Sequence, residues 1–118
     1  MTYKKIDYSE SILTFAFTGE VNHVNIEDLH TDVVDLFSTH TPENPLKLLT
    51  DAKDEGRFTM GARRVMAKIG SYPLISKVAV INSAPLNRAI LTFIAKAIKA
   101  NKLKFFDDME SAREWLKE

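Results

Sequence analysis

The chain contains no cysteine, which excludes disulfides, thiolate nucleophiles and thiolate metal ligands. Only four of its 118 residues are glycine, and neither a Gly-x-Gly-x-x-Gly nor a Walker-type phosphate loop occurs. No run approaches the roughly 18 apolar residues needed to cross a bilayer. The N-terminus, Met1-Thr-Tyr-Lys-Lys-Ile-Asp-Tyr, lacks the apolar core of a secretion signal. The chain therefore reads as cytoplasmic, with any membrane contact peripheral. The most informative absence is of negative charge: between Gly56 and Phe106 there is no Asp or Glu, against ten basic residues.

The acids are elsewhere. Residues 1–55 hold 11 acids against 4 lysines, residues 107–118 hold 5 acids against 2 bases, and the whole chain is neutral. Charge sorted this way speaks to partners and steering rather than to fold. With 45% hydrophobic and 27% charged residues, the composition is that of an ordinary globular chain. Its length fits one domain, 1–118, with no linker, repeat or low-complexity stretch.

Hydrophobic periodicity sets out the elements. Ile6 and Tyr8 alternate with polar neighbours, Ser9-Glu10-Ser11 turns the chain, and Ile12 to Phe17 runs extended into Thr18-Gly19. Asn25 and Asp28 suggest a capping box for a helix carrying Ile26, Leu29, Val33, Leu36 and Phe37 to about residue 40. Thr41-Pro42 and Asn44-Pro45 stop it, because proline lacks the amide donor and disfavours helix before it. Leu46 to Thr50 is a strand, followed by the polar loop Asp51 to Gly56. A second helix runs from Thr59 to about Ile69, with Ala62, Val65, Met66 and Ile69 inward.

Lys77 to Asn82 is the next strand, and its unbroken apolar centre indicates burial on both faces. Pro85 opens a third helix whose stripe is Leu86, Ala89, Ile90, Phe93, Ile94, Ala97 and Ile98, with Asn101 as its cap. Leu103 to Phe106 is a short strand. Asp107 and Glu110 then cap a final helix bearing Met109, Ala112, Trp115 and Leu116. The order is ββαβαβαβα, an α/β fold with one mixed, mostly parallel sheet, four helices and the first strand antiparallel at an edge.

Three features of this order resemble SpoIIAA-like proteins, relatives of the STAS domain (sulfate transporter and anti-sigma-factor antagonist). They are the strand Lys77-Val-Ala-Val-Ile-Asn, the amphipathic helix after it, and the ending Leu103-Lys-Phe-Phe-Asp-Asp-Met-Glu-Ser-Ala-Arg-Glu-Trp-Leu116. The step Thr18-Gly19-Glu20 and the strand from Leu46 to Asp51 are similar too. The resemblance implies a βα superhelical layer, shared in outline with lipid carriers of the CRAL-TRIO type, and a non-enzymatic regulatory role. The best-known members of that family switch partners by phosphorylation of a serine, in an Asp-Ser-Ser-Gly-like motif at the start of the second helix. Here the corresponding stretch, Asp51 to Gly61, has no serine, and Thr59 is its only hydroxyl. Thr59 reads first as a helix N-cap and second as a phosphoacceptor.

The chemistry-bearing residues are otherwise sparse. Asp51, Asp54 and Glu55 follow a central strand, where α/β sheets place ligand sites, but they read as ordinary loop carboxylates, and neither metal nor cofactor is expected. His23, His30 and His40 are too widely spaced for a compact ligand motif and read as surface or capping residues. The basic segment stands out. Arg57, Arg63, Arg64, Lys68, Arg88, Lys96 and Lys99 are expected to form a binding surface on the second and third helices for an anionic partner, either a protein or a membrane surface. Phe58, or whichever of Phe105 and Phe106 faces outward, would add an apolar anchor. Nucleic acid is not expected, since stacking aromatics are not interleaved with the cations. The opposed charges also suit a homodimer. The alternative function is a peripheral carrier of a small apolar or lipid-type ligand, which calls for a cavity of several hundred Å³ beside Arg63 or Arg88.

Overall fold

Strand-forming alternation in residues 12–17 places Leu13, Phe15 and Phe17 on one sheet face and Ile12 on the other, and both faces are covered. The computed structural model describes residues 3–118; Met1 and Thr2, the head of the expected 1–118 domain, lie outside the described residues. β1 (Tyr3–Ser9) and β2 (Ile12–Phe17) form an antiparallel hairpin at the sheet edge. The remaining members, β4 (Leu46–Asp51), β6 (Ile75–Ile81) and β7 (Leu103–Phe106), add in parallel to give the order β1-β2-β4-β6-β7. This is the mixed, mostly parallel sheet expected.

Helices α1 (His23–Leu36), α2 (Met60–Gly70) and α3 (Pro85–Ala97) cover one face, and α4 (Met109–Lys117) covers the other. The larger core is built from Leu13, Phe15, Phe17, Leu46 and Leu48 of the sheet against Ile26, Leu29, Val33, Ala62 and Ile69 of the helices. A smaller one, with Ile12, Leu49, Ala79 and Ile81 under Ala112 and Leu116, lies on the α4 side. Two short strands escaped the sequence reading. β3 (Gly19–Val21) and β5 (Glu55–Phe58) pair in parallel outside the main sheet, so the supposed loop before α2 is half ordered. They read Gly-Glu-Val and Glu-Gly-Arg-Phe, with glycine and charge where an apolar alternation would have to stand. A Cβ on Gly56 would stand 2.8 Å from the Gly19 carbonyl carbon, so the two backbones approach as only glycine allows.

Several caps differ from those expected. Asn22, not Asn25, caps α1: its side chain accepts from the Val24 and Asn25 amides, and Asn25 reaches back to the Asn22 amide to complete the box. α4 starts at Asp108, whose carboxylate accepts from the Ser111 amide. α3 is closed not by Asn101 but by Lys99, which takes a left-handed conformation (φ 57°) while Ala100 donates to Ala95. Two histidines expected at the surface are structural. His40 is buried between the Tyr8 hydroxyl and the Asn44 carbonyl, and His30 bridges Glu27 to the Tyr72 hydroxyl.

The hairpin turn has two residues, Glu10 and Ser11, both at positive φ. This is the type I′ geometry that Asn-Gly suits best. Replacing Glu10→Asn together with Ser11→Gly is expected to raise the unfolding free energy by about 1–2 kcal/mol, measured by urea denaturation.

Candidate functional site

The third helix sets the geometry. Its apolar stripe in sequence runs Leu86, Ala89, Ile90, Phe93, Ile94, Ala97, Ile98, yet the face turned to the sheet is Asn87, Ile90, Leu91, Ile94 and Ile98. The cause is Asn87: it is buried, and its amide donates to the Gly56 carbonyl at 2.9 Å. A buried amide left unpaired is costly, so the helix is rotated to satisfy it. Leu86 and Phe93 are thereby left 67% and 73% exposed, with Met60 of α2 at 60%. These are the apolar residues beside the basic helices. Phe58, expected as the anchor, is instead 2% exposed and part of the core. Neither alternative anchor is free: Phe105 lies beneath the Arg88 guanidinium at 4.6 Å, and Phe106 packs on Trp115. A second apolar row, Leu86, Ala89, Phe93 and Ala97, was present in the sequence as the mark of a helix apolar on more than one side.

The cations fall into groups. Arg57 is exposed on β5. On α2, Arg64 and Lys68 face solvent and Arg63 is half-buried with its Nε unpartnered. Gly61 touches His23 of α1, and helical spacing puts Arg63 on the roughly opposite flank, toward α3. Arg88 and Lys96 line a groove between α3 and β7 together with Lys104 and Phe105. Leu86 and Phe93 lie on the other flank of α3, toward α2. Lys99 stands apart in the turn that ends α3.

The acidic first helix does not neutralise this set. Among the described residues the ion pairs are His30–Glu27 and Lys117–Glu10, while Asp32 accepts from the Tyr3 hydroxyl at 2.6 Å. Thr59, the only hydroxyl near the family's phosphorylation position, accepts from the Ala62 amide and caps α2.

Beneath α2 and α3 lies an apolar cavity of about 120 Å³. Glu55 reaches its wall from β5. Burial pushes this carboxyl up to about 7, with the Asp51 charge adding to the rise and the Asn87 side chain opposing it. Asp51 itself is held by the Asn82 amide and by the Lys53 backbone, and among the described residues no three such groups gather as a metal site would need.

At pH values between 4.5 and about 7 the folded chain holds a proton on Glu55 that the unfolded chain has lost. The stability that this group contributes is complete below 4.5 and is lost as pH rises through about 7. Glu55→Gln is therefore expected to flatten the pH dependence of unfolding, gaining about 2–3 kcal/mol on the wild type between pH 5 and pH 8, as read by parallel urea titrations.

The sequence model of the SpoIIAA-like family matches residues 12–117. No curated protein matches the chain in sequence. Among solved structures, the fold is similar to that of an uncharacterized protein of the DUF3478 family with a SpoIIAA-like fold, from Shewanella loihica PV-4. That likeness has a TM-score of 0.70, covers 98% of this chain and 93% of that one, and is accompanied by 20% sequence identity. From the match along nearly its whole length, and from an architecture shared end to end, the chain belongs to the SpoIIAA-like family.

Proposed function

We propose that the chain is a non-enzymatic, STAS-like interaction module whose α2–α3 surface receives an acidic partner protein. The observation that carries this reading is the pair Leu86 and Phe93, exposed between the cations of α2 and those of α3, with none of those cations ion-paired among the described residues. Exposed apolar side chains rimmed by like charge are the usual composition of a recognition surface. Arg57, Arg63, Arg64 and Lys68 supply charge on one side of the seam, and Arg88 and Lys96 on the other; Lys99 extends the field beyond the end of α3. The charges steer the encounter, and the apolar pair contributes the affinity that charge cannot.

A second reading is peripheral attachment to an anionic bilayer. The same two exposed side chains favour it. Each basic residue near an anionic leaflet contributes about 1 kcal/mol, so four or five reach only about millimolar affinity. Insertion of Leu86 and Phe93 brings the sum to about the micromolar range.

The two readings separate in one set of experiments. In-cell cross-linking followed by reciprocal capture is expected to recover an acidic protein. Binding of that purified protein should weaken at least tenfold in R63E/R64E/K68E and again in L86S/F93S, with circular dichroism unchanged. Co-sedimentation with phosphatidylserine vesicles at low salt, absent with neutral vesicles, moves the assignment to the bilayer. Concentration-dependent dimerisation abolished by the same substitutions moves it to a second copy of this chain. Substitutions that leave every one of these interactions intact overturn the surface.

A further inference from the structure

The cavity between the sheet and helices α2 and α3 has a definite chemistry. Its floor includes Phe15, Leu48 and Val80, and Met66, Leu91 and Ile94 close over it. The volume of about 120 Å³ is well short of the several hundred expected for a lipid carrier, and the groove beside Arg88, though about 460 Å³, is open and partly polar. It is close to an engineered apolar cavity of about 150 Å³ that takes up benzene. A ligand of this site is therefore a single ring or a short branched chain.

Two polar atoms interrupt the apolar lining. Thr50, placed in the floor by its register between Phe15 and Val80, is only 5% exposed, and its Oγ1 has no hydrogen-bond partner. Glu55 lines the same cavity, and its Oε1 is likewise buried and unpartnered. Each lacks the partner its chemistry calls for: the Thr50 hydroxyl can donate or accept, and the Glu55 carboxyl accepts when ionised and can donate when protonated. The one ammonium in the lining, Lys102, is already occupied: its Nζ donates to the Tyr72 and Ile75 carbonyls. Buried polar atoms are ordinarily satisfied. Two orphans lining one apolar space are therefore the mark of a place where a polar group belongs.

We propose that this cavity binds a small apolar molecule, aromatic or branched aliphatic, carrying a single hydroxyl or amine that pairs with both orphans, exchanging one hydrogen bond with Glu55 Oε1 and accepting the other from the Thr50 hydroxyl. The site is independent of the outer surface assigned to a protein partner, since it faces the sheet side of α2 and α3 while Leu86 and Phe93 face solvent.

Phenol and toluene, nearly equal in size, are the probes. In a wholly apolar cavity phenol loses to toluene, because its hydroxyl gives up water and receives nothing in return. Titration of the full chain, followed through the amide resonances of Thr50, Val80, Leu91 and Ile94, is expected to show saturable binding of both, with phenol at least as tight as toluene. Thr50→Val, which removes the hydroxyl at nearly constant volume, is expected to weaken phenol about fivefold and leave toluene unchanged. Ala95→Leu, which fills the cavity from α3, is expected to weaken both at least tenfold; Ile94→Phe serves the same purpose if that variant does not fold. Absence of saturable binding by either probe overturns the proposal. So do phenol binding weaker than toluene in the wild type, a Thr50→Val variant with unaltered phenol affinity, and filled variants that bind as the wild type does.

Discussion

The hydrogen bond from the Asn87 amide to the Gly56 carbonyl governs the functional half of the molecule. It joins α3 to the short strand before α2, at a glycine whose backbone lies too close against Gly19 to admit a Cβ. Once Asn87 is committed inward, helical geometry decides the rest. Leu91, Ile94 and Ile98 turn to the sheet, and Leu86 and Phe93 turn to water. One polar contact thus places both the roof of the cavity and the apolar side chains of the outer surface.

The charge sorting along the chain finds its structural meaning in the same layer. The acids of α1 are engaged locally, Glu27 with His30 and Asp32 with Tyr3, which leaves the basic helices uncompensated. Several cations lie over aromatic faces: Arg88 over Phe105, Lys77 and Lys104 over Trp115. Such contacts hold a cation in place without cancelling its field. The molecule keeps its charge separation while fixing some of the side chains that create it.

The sequence disclosed the sheet, its mixed direction and all four helices, because apolar residues recur in those elements at a period of 2.0 or 3.6 or run unbroken between turn residues. The family was legible in the Phe105 to Leu116 ending for the same reason. β3 and β5 were hidden by their glycines and charges, since β7 is as short as β5 but carries Leu103, Phe105 and Phe106. The caps slid by one to three residues, as with Asn22 for Asn25 and Asp108 for Asp107, because neighbouring polar residues compete for the same role. The rotation of α3 was harder still. Seven residues fit a single stripe, and the three-dimensional demand of Asn87 for an acceptor turns it, so that Leu91 joins Ile90, Ile94 and Ile98 inward while Leu86 and Phe93 face out. Phe58 followed the same logic in reverse, since a phenylalanine beside an arginine is equally compatible with core and surface until β5 pairs with β3. Glu55 gave no sign at all: a carboxylate in a polar stretch reads as solvated until a strand carries it beneath a helix.

The sheet divides the interior into two cores that share only its backbone. Disturbance on the α3 side is therefore insulated from the packing of Trp115 and Leu116 beneath α4. An opening of the upper helices breaks no contact in the lower layer, so amide protons of α3 can exchange through a local event while those of β4 and β6 wait for global unfolding. The architecture gives one small chain a yielding side and a rigid side.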